Sequence, residues 1–210
     1  MGAVLQILGK SASINVRKVL WVCAEMGLPY EQEQWGTGFR SPEAPEFKAL
    51  NPNALVPVIR DGALTLWESN TICRYLTAKY DRSDLLPVDP PGRAVVEQWM
   101  DWQATELNTS WRYAFMALVR RSVAHTDPQG IAESILSWNR NMEILEGQLS
   151  ATGAYVVGAT FTLADVVVGL STHRWFMTPM EKPELPAVAA YYERLSERPA
   201  FLLHGRNGVP

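Results

Sequence analysis

The stretch "GKSASINVR" holds the side chains most able to do chemistry: the hydroxyls of Ser11 and Ser13 and the amide of Asn15, set where a loop enters a helix. Backbone N–H groups and the helix dipole favour an anion at such a point. A dithiol oxidoreductase would carry Cys-x-x-Cys there, and this stretch has no cysteine, so it cannot exchange disulfides itself. A hydroxyl can instead donate a hydrogen bond to a thiolate that a ligand brings, lowering the pKa of that thiol. Two further features lie downstream. "LVPVIR" puts Pro57 in a strand-like run that needs backbone N–H groups, and "WESN" places Glu68 and Ser69 at the mouth of another helix.

The elements that must position these residues follow from periodicity. Ala3–Leu8 is a short apolar strand, and Val16, Leu20, Cys23 and Ala24 recur at helical spacing up to Gly27, with Pro29 beyond. "PYEQEQ" predicts a second strand and "WGTGFRSPEAPEF" a long loop with one helical turn. "VPVIR" and "ALTL" flank Asp61-Gly62, a two-residue turn signal that predicts an antiparallel hairpin. From Glu68 on, Ile72, Tyr75, Leu76 and Tyr80 share a helical face. The order β-α-β, long loop, β-β-α is that of the thioredoxin-like fold, whose reactive group sits at the start of the first helix.

"DRSDLLPVDPPG" reads as a linker, and the chain after it is helical throughout. One long helix is expected over residues 92–122 and a second over 128–150, ending at Gly153. "FTLADVVVG" opens a third, with Thr162 as N-cap, Asp165 at N3, and Phe161 and Val166 placed as a hydrophobic staple; "PAVAAYYERLSERP" is a fourth. The expected architecture is α/β plus all-α: a thioredoxin-like domain over 1–80, a linker over 81–90 and a helical bundle over 91–210.

Composition narrows the function classes. At 210 residues, 47% hydrophobic and 20% charged, the chain can bury a substantial core as an ordinary soluble protein. A net charge of −3 gives no reason to expect a nucleic acid or an anionic membrane as partner. No apolar run approaches the ~20 residues needed to span a bilayer. "MGAVLQILGK" lacks the basic start of a signal peptide, and Gln6 stands where acylation of Gly2 would need Ser or Thr. Cys23 and Cys73 sit among apolar helical neighbours and read as buried free thiols in a reducing cytoplasm. His125, His173 and His204 show no ligand spacing, so no metal is expected.

Four motifs, "SINVRKVLW", "NPNALVPVI", "WESNTICRYL" and "FTLADV", stand in the order and spacing of cytosolic glutathione transferases. The chain resembles that family over essentially its whole length, and most of all its bacterial serine-type branch near the theta and nu groups. The resemblance implies a cytoplasmic homodimer with glutathione as co-substrate, acting in detoxification. It implies that the bond before Pro57 is cis and that the N–H and C=O of Val56 pair with the cysteinyl backbone of glutathione. Glu68 would take the ammonium of the γ-glutamyl end and Ser69, with N–H groups of the helix start, its carboxylate. Ser13 would activate the thiolate. Asn15 matches the Thr/Ser-x-Asn pattern of the nu-like group, whose amide also points at the sulfur. Ser11, Ser13 and Asn15 all remain open as activator, although the spacing of Ser13 to Arg17 matches the serine-type pattern. Many relatives carry Lys, Gln or His just before Val-Pro. Here that residue is Leu55, so the glycyl carboxylate needs another partner, Arg40 or Asn53.

The implied reaction is conjugation, in which the activated sulfur attacks an electrophilic carbon of a small apolar molecule. Two alternatives stand beside it. One is glutathione-dependent disulfide or peroxide reduction, which the Ser-x-Asn pattern favours. The other is a non-catalytic glutathione-binding interaction module. Each residue also has a plainer reading. Ser13 and Ser69 are common helix-start residues, Glu68 complements a dipole, and Pro57 marks an edge strand or bulge. Arg17 and Lys18 read as a structural ion pair and a solvated charge. Trp99, Gln103, Leu107, Trp111 and Phe115, at steps of four, read first as a core stripe. The resemblance has this helix line the apolar co-substrate site, with Trp111, Tyr113 and Phe115 as its wall. Arg112, Arg120 and Arg121 then read as solvent charges or dimer contacts.

Overall fold

The computed structural model describes residues 4–210, so Gly2 and the expected strand start at Ala3 lie outside the described residues. The chain forms two compact units, Met1–Ser83 and Asp84–Pro210.

The first unit runs β1 (Leu5–Leu8), α1 (Ile14–Met26), β2 (Tyr30–Glu33), α2 (Pro45–Lys48), β3 (Val58–Asp61), β4 (Leu64–Trp67) and α3 (Ser69–Lys79). Its sheet has the order β2-β1-β3-β4, with β1 parallel to β2 and the other two pairs antiparallel. This is the thioredoxin-like arrangement. Ile7, Leu8, Val58 and Ile59 are fully buried in the sheet, as are Val16, Val19, Leu20 and Val22 of α1 and Ile72 and Leu76 of α3. α1 stops at Gly27, which takes a left-handed φ of 61° that glycine adopts without steric cost, while the Leu28 N–H bonds the Cys23 C=O at 2.9 Å. The hairpin turn falls one residue later than expected. Asp61 stays in the ladder opposite Leu64, its carboxylate held by the Tyr75 hydroxyl at 2.8 Å and by Lys79, and Gly62 and Ala63 make the turn. Lys18 is not a solvated charge. It is 3% exposed, and its ammonium donates to Asn70 Oδ1 at 3.2 Å.

The second unit contains α4 (Pro90–Trp102), α5 (Asn108–Leu118), α6 (Pro128–Thr152), α7 (Leu163–Met177), α8 (Pro186–Ser196) and α9 (Pro199–His204). The expected long helix is α4 and α5 joined through a π turn at Gln103–Leu107. Two polar contacts from neighbouring helices reach this long helix. Gln103, 1% exposed, donates its amide to the Ser171 hydroxyl of α7 at 2.9 Å. The Ser134 hydroxyl of α6 sits between the Ser110 C=O, at 2.6 Å, and the Ala114 N–H, at 3.0 Å, where a direct helical bond would run. α7 is the core of the unit, buried continuously from Leu163 to Trp175 and opened by the Thr162–Asp165 capping box. α9 was not anticipated, since six residues are too few to show a periodicity. No helix among the described residues is long and apolar enough to cross a membrane.

Candidate functional site

The register of the sheet gathers the candidate residues of the first unit. Glu33, Leu8, Val58 and Trp67 stand opposite one another across β2, β1, β3 and β4, and this row closes one end of the ordered ladder. Just beyond it the chain continues as Gly9–Ser13 after β1, Trp35–Arg40 after β2, Val56–Pro57 before β3 and Glu68–Ser69 after β4. Gly9, at φ 153°, lies where a Cβ would come within 2.5 Å of the Val16 side chain and 3.1 Å of the Val56 Cβ. Only glycine lets the start of α1 and the Val56 loop close on each other here.

Ser13 occupies the N-cap of α1, with φ −78° and ψ 125°, yet its side chain makes no cap hydrogen bond. Its backbone is fully used, the N–H bonding Lys10 C=O at 3.0 Å and the C=O accepting from Arg17 N–H at 2.9 Å. Among the described residues its hydroxyl has no partner, and neither does the Asn15 amide; both residues are half-buried. Ser11 differs. Its Oγ lies 3.0 Å from Gln32 Nε2, which also donates to the Gly9 C=O at 2.8 Å. Of the three candidate activators, Ser11 is held by β2 while Ser13 and Asn15 are open to a ligand.

The Val56–Pro57 peptide is cis. Val56 is half-buried, and its N–H and C=O have no hydrogen-bond partner among the described residues. The loop leading to it is held by Asn51, which sequence reasoning passed over. Asn51 is 3% exposed, and its amide donates to the Leu55 C=O at 2.7 Å. Its Oδ1 accepts from the Asn53 N–H at 3.0 Å and from Asn53 Nδ2 at 3.1 Å, so the Asn53 side chain is turned onto Asn51. The available signal was a polar residue at the head of "NPNALVP", where a loop with a left-handed residue, Ala54 at φ 52°, needs internal bonds.

At the α3 end, Glu68 takes φ 71°, a conformation L-residues rarely adopt and one that gathers at ligand sites. Its carboxylate is exposed and caps nothing. Ser69 follows at the first helical position, 6% exposed, and its hydroxyl has no partner among the described residues. At the β2 end, Arg40 is already paired. It lies 3.5 Å from Glu33 and 3.3 Å from Glu46, and its guanidinium stacks 3.9 Å over the Trp35 ring.

Cys23 and Cys73 are buried, and burial pushes both thiols up to about 12, so neither serves as a nucleophile near neutral pH. No group of three metal-binding side chains occurs among the described residues. In the second unit, Trp111 and Phe115 are turned inward. Their rings meet edge to face at 5.4 Å, and the Arg174 guanidinium lies 4.4 Å and 4.1 Å from their centroids. Tyr113 is on another face, its ring 4.9 Å from His125 and its hydroxyl accepting from the Asp127 N–H at 3.3 Å. The structure does not bring these three aromatic residues together.

Residues 12–79 match the family model described as glutathione S-transferase, N-terminal domain, and residues 112–199 match glutathione S-transferase, C-terminal domain. The glutathione S-transferase GstB of Escherichia coli K12 is 35% identical, over 91% of this chain and 93% of the relative. Glutathione S-transferase 3 of Zea mays is 30% identical over 95% and 92%. The crystal structure of a theta-class glutathione S-transferase from Xanthomonas axonopodis pv. citri, with glutathione bound, superposes with a TM-score of 0.87 and 38% identity over 98% of both chains.

Proposed function

The chain belongs to the glutathione S-transferase family, and from that premise we propose that it is a glutathione transferase whose Ser13 hydroxyl holds the cysteinyl sulfur as thiolate. The observation that carries this is Ser13 itself: an N-cap serine whose side chain makes no cap bond and has no partner among the described residues. A free thiol near pKa 8.5 is only a few per cent ionised at neutral pH, and lowering it by about 2 units makes most of it nucleophilic. The other candidates divide the ligand along the same sheet end. Val56 offers to the cysteinyl backbone an N–H and C=O that have no partner among the described residues. Ser69 and the first N–H groups of α3 face the γ-glutamyl carboxylate, and Glu68 its ammonium. The thiolate then attacks an electrophilic carbon of a small apolar molecule, and the enzyme's part is to ionise the sulfur and hold both reactants together.

A cytoplasmic homodimer acting in detoxification is the setting that fits, supported by the family membership and by two free buried cysteines. The open Asn15 amide favours a second reading, glutathione-dependent disulfide or peroxide reduction, with the same thiolate attacking sulfur or oxygen. Titrating the protein with glutathione across pH, following the ultraviolet absorbance of the bound thiolate, tests the main reading. A bound thiol ionising about 2 units below its free value supports it, and one titrating as in solution overturns it. Turnover on a chlorinated aromatic against turnover on a small disulfide decides between the two reactions.

A further inference from the structure

The geometry points to Lys10 as the cation that holds the terminal carboxylate of the thiol tripeptide, in place of Arg40. The inference rests on the reading of this sheet end as a glutathione site. With the γ-glutamyl end at Ser69, beyond β4, and the cysteinyl unit at Val56, before β3, the sheet order β2-β1-β3-β4 leaves the β1 and β2 ends for the third residue. Two cations belong to the segments there, Lys10 and Arg40, and Lys48 of α2 follows them in the chain. Arg40 is neutralised by Glu33 and Glu46 and stacked on Trp35, and Lys48 is paired with Glu43. A carboxylate meeting Arg40 would enter beside two others, at a cost in repulsion.

Lys10 is placed differently. Its N–H bonds the Trp35 C=O at 3.0 Å, which fixes its backbone to the chain leaving β2. Its stem then runs over Gly36, where a Cβ would come within 3.2 Å of the Lys10 Cδ and where φ is 119°. The backbone conformation favours glycine at 36, and the lysine stem lies close over it. The ammonium ends 3.5 Å from the Thr37 C=O, a long contact that leaves its other protons available, and it has no carboxylate partner among the described residues. The position before Val56 is held by Leu55, 64% exposed, which offers no charge.

The test pairs Lys10→Ala and Arg40→Ala with two thiols, glutathione and its glycyl monoethyl ester, which lacks the terminal charge. In wild type the ester should show a KM about tenfold above that of glutathione at similar kcat. Lys10→Ala should raise the KM for glutathione about tenfold and leave the KM for the ester within about twofold, so that the two thiols become equivalent. Arg40→Ala should preserve the wild-type preference. Lys10→Ala raising both KM values equally, or neither, overturns the assignment, as does Arg40→Ala abolishing the preference. If wild type binds neither thiol, the glutathione reading falls and takes this inference with it; if glutathione turns over normally and only the preference is misassigned, the inference falls alone.

Discussion

Replacing Ser13 by alanine separates the two roles that a helix-start serine can play. A serine that caps its helix contributes typically ~1 kcal/mol, but Ser13 makes no cap bond, so Ser13→Ala should change folding stability by less than about 0.5 kcal/mol. The bound thiolate should respond far more. A hydrogen bond to a charged acceptor contributes about 1.5–3 kcal/mol, which at ~1.4 kcal/mol per unit is about one to two pKa units. If the bound thiol ionises near pH 6.5, about 2 units below its free value, the variant should ionise at about 7.5–8.5. At about pH 6.5 the thiolate fraction then falls from about one half to between about 1% and 10%, so kcat/KM falls roughly 5- to 50-fold. At about pH 9.5 both enzymes are almost fully ionised and the rates converge. Thiolate absorbance, a pH profile of kcat/KM on a chlorinated aromatic, and urea melts make the three measurements. An unchanged thiolate pKa refutes the reasoning. So does a loss of ~1 kcal/mol in stability with an unchanged pKa, which would return Ser13 to the role of an ordinary cap.

Asn51→Ala removes three hydrogen bonds around the Val56 loop, but the partner groups on exposed Leu55 and Asn53 can turn to water. The expected cost is about 1–3 kcal/mol in urea melts, with KM for glutathione raised severalfold and kcat nearly unchanged; an unaltered KM would show that Asn51 supports only the fold. Asp165 is wholly buried, and burial pushes its carboxyl up to about 6 against the bonds from the Val156 and Thr162 N–H groups and the Thr162 hydroxyl. Because this folded value lies above the unfolded one, the folded state holds the proton more tightly. The stabilisation is full below about pH 4 and is lost as pH rises through about 6, at most about 3 kcal/mol. Wild-type stability measured against Asp165→Asn should therefore decline between about pH 4 and 7, and a difference that grows with pH would contradict the buried-carboxyl argument.

The parts of the candidate site are marked by local chemistry that can be read without tertiary context. A proline in a strand-like run, serines at two helix starts and the missing Cys-x-x-Cys can all be read from "SASINVR", "LVPVIR" and "WESN". What could not be read were facts of partnership. Ser11, Ser13 and Asn15 are equivalent on paper. They separate only because Gln32, on a neighbouring strand, reaches the Ser11 hydroxyl. Arg40 stands in a loop by sequence, and only the fold brings Glu33 and Glu46 beside it. Trp111 and Phe115 share a helical face with Tyr113 excluded, as the 3.6-residue period requires, so a wall built from all three was geometrically costly from the start. The π turn at Gln103 is not legible in local periodicity, and the amide there bonds Ser171, far along the chain.

On the proposed reading, the same partnerships would let a serine act where a dithiol oxidoreductase carries cysteine. The two cysteines of the chain are buried with thiols pushed up to about 12, and the helix start has none, so the fold supplies no sulfur of its own at the site. The positions that would bind an incoming ligand have no protein partner among the described residues: the Ser13 hydroxyl, the Asn15 amide, and the N–H and C=O of Val56. Their neighbours are tied down in turn, Ser11 by Gln32, Leu55 by Asn51 and Lys10 by Trp35, so the open groups are held in place by bonds that do not use them. A thiol peptide that pairs with all of them needs little rearrangement of the protein, which is the condition under which a single hydroxyl can shift a pKa.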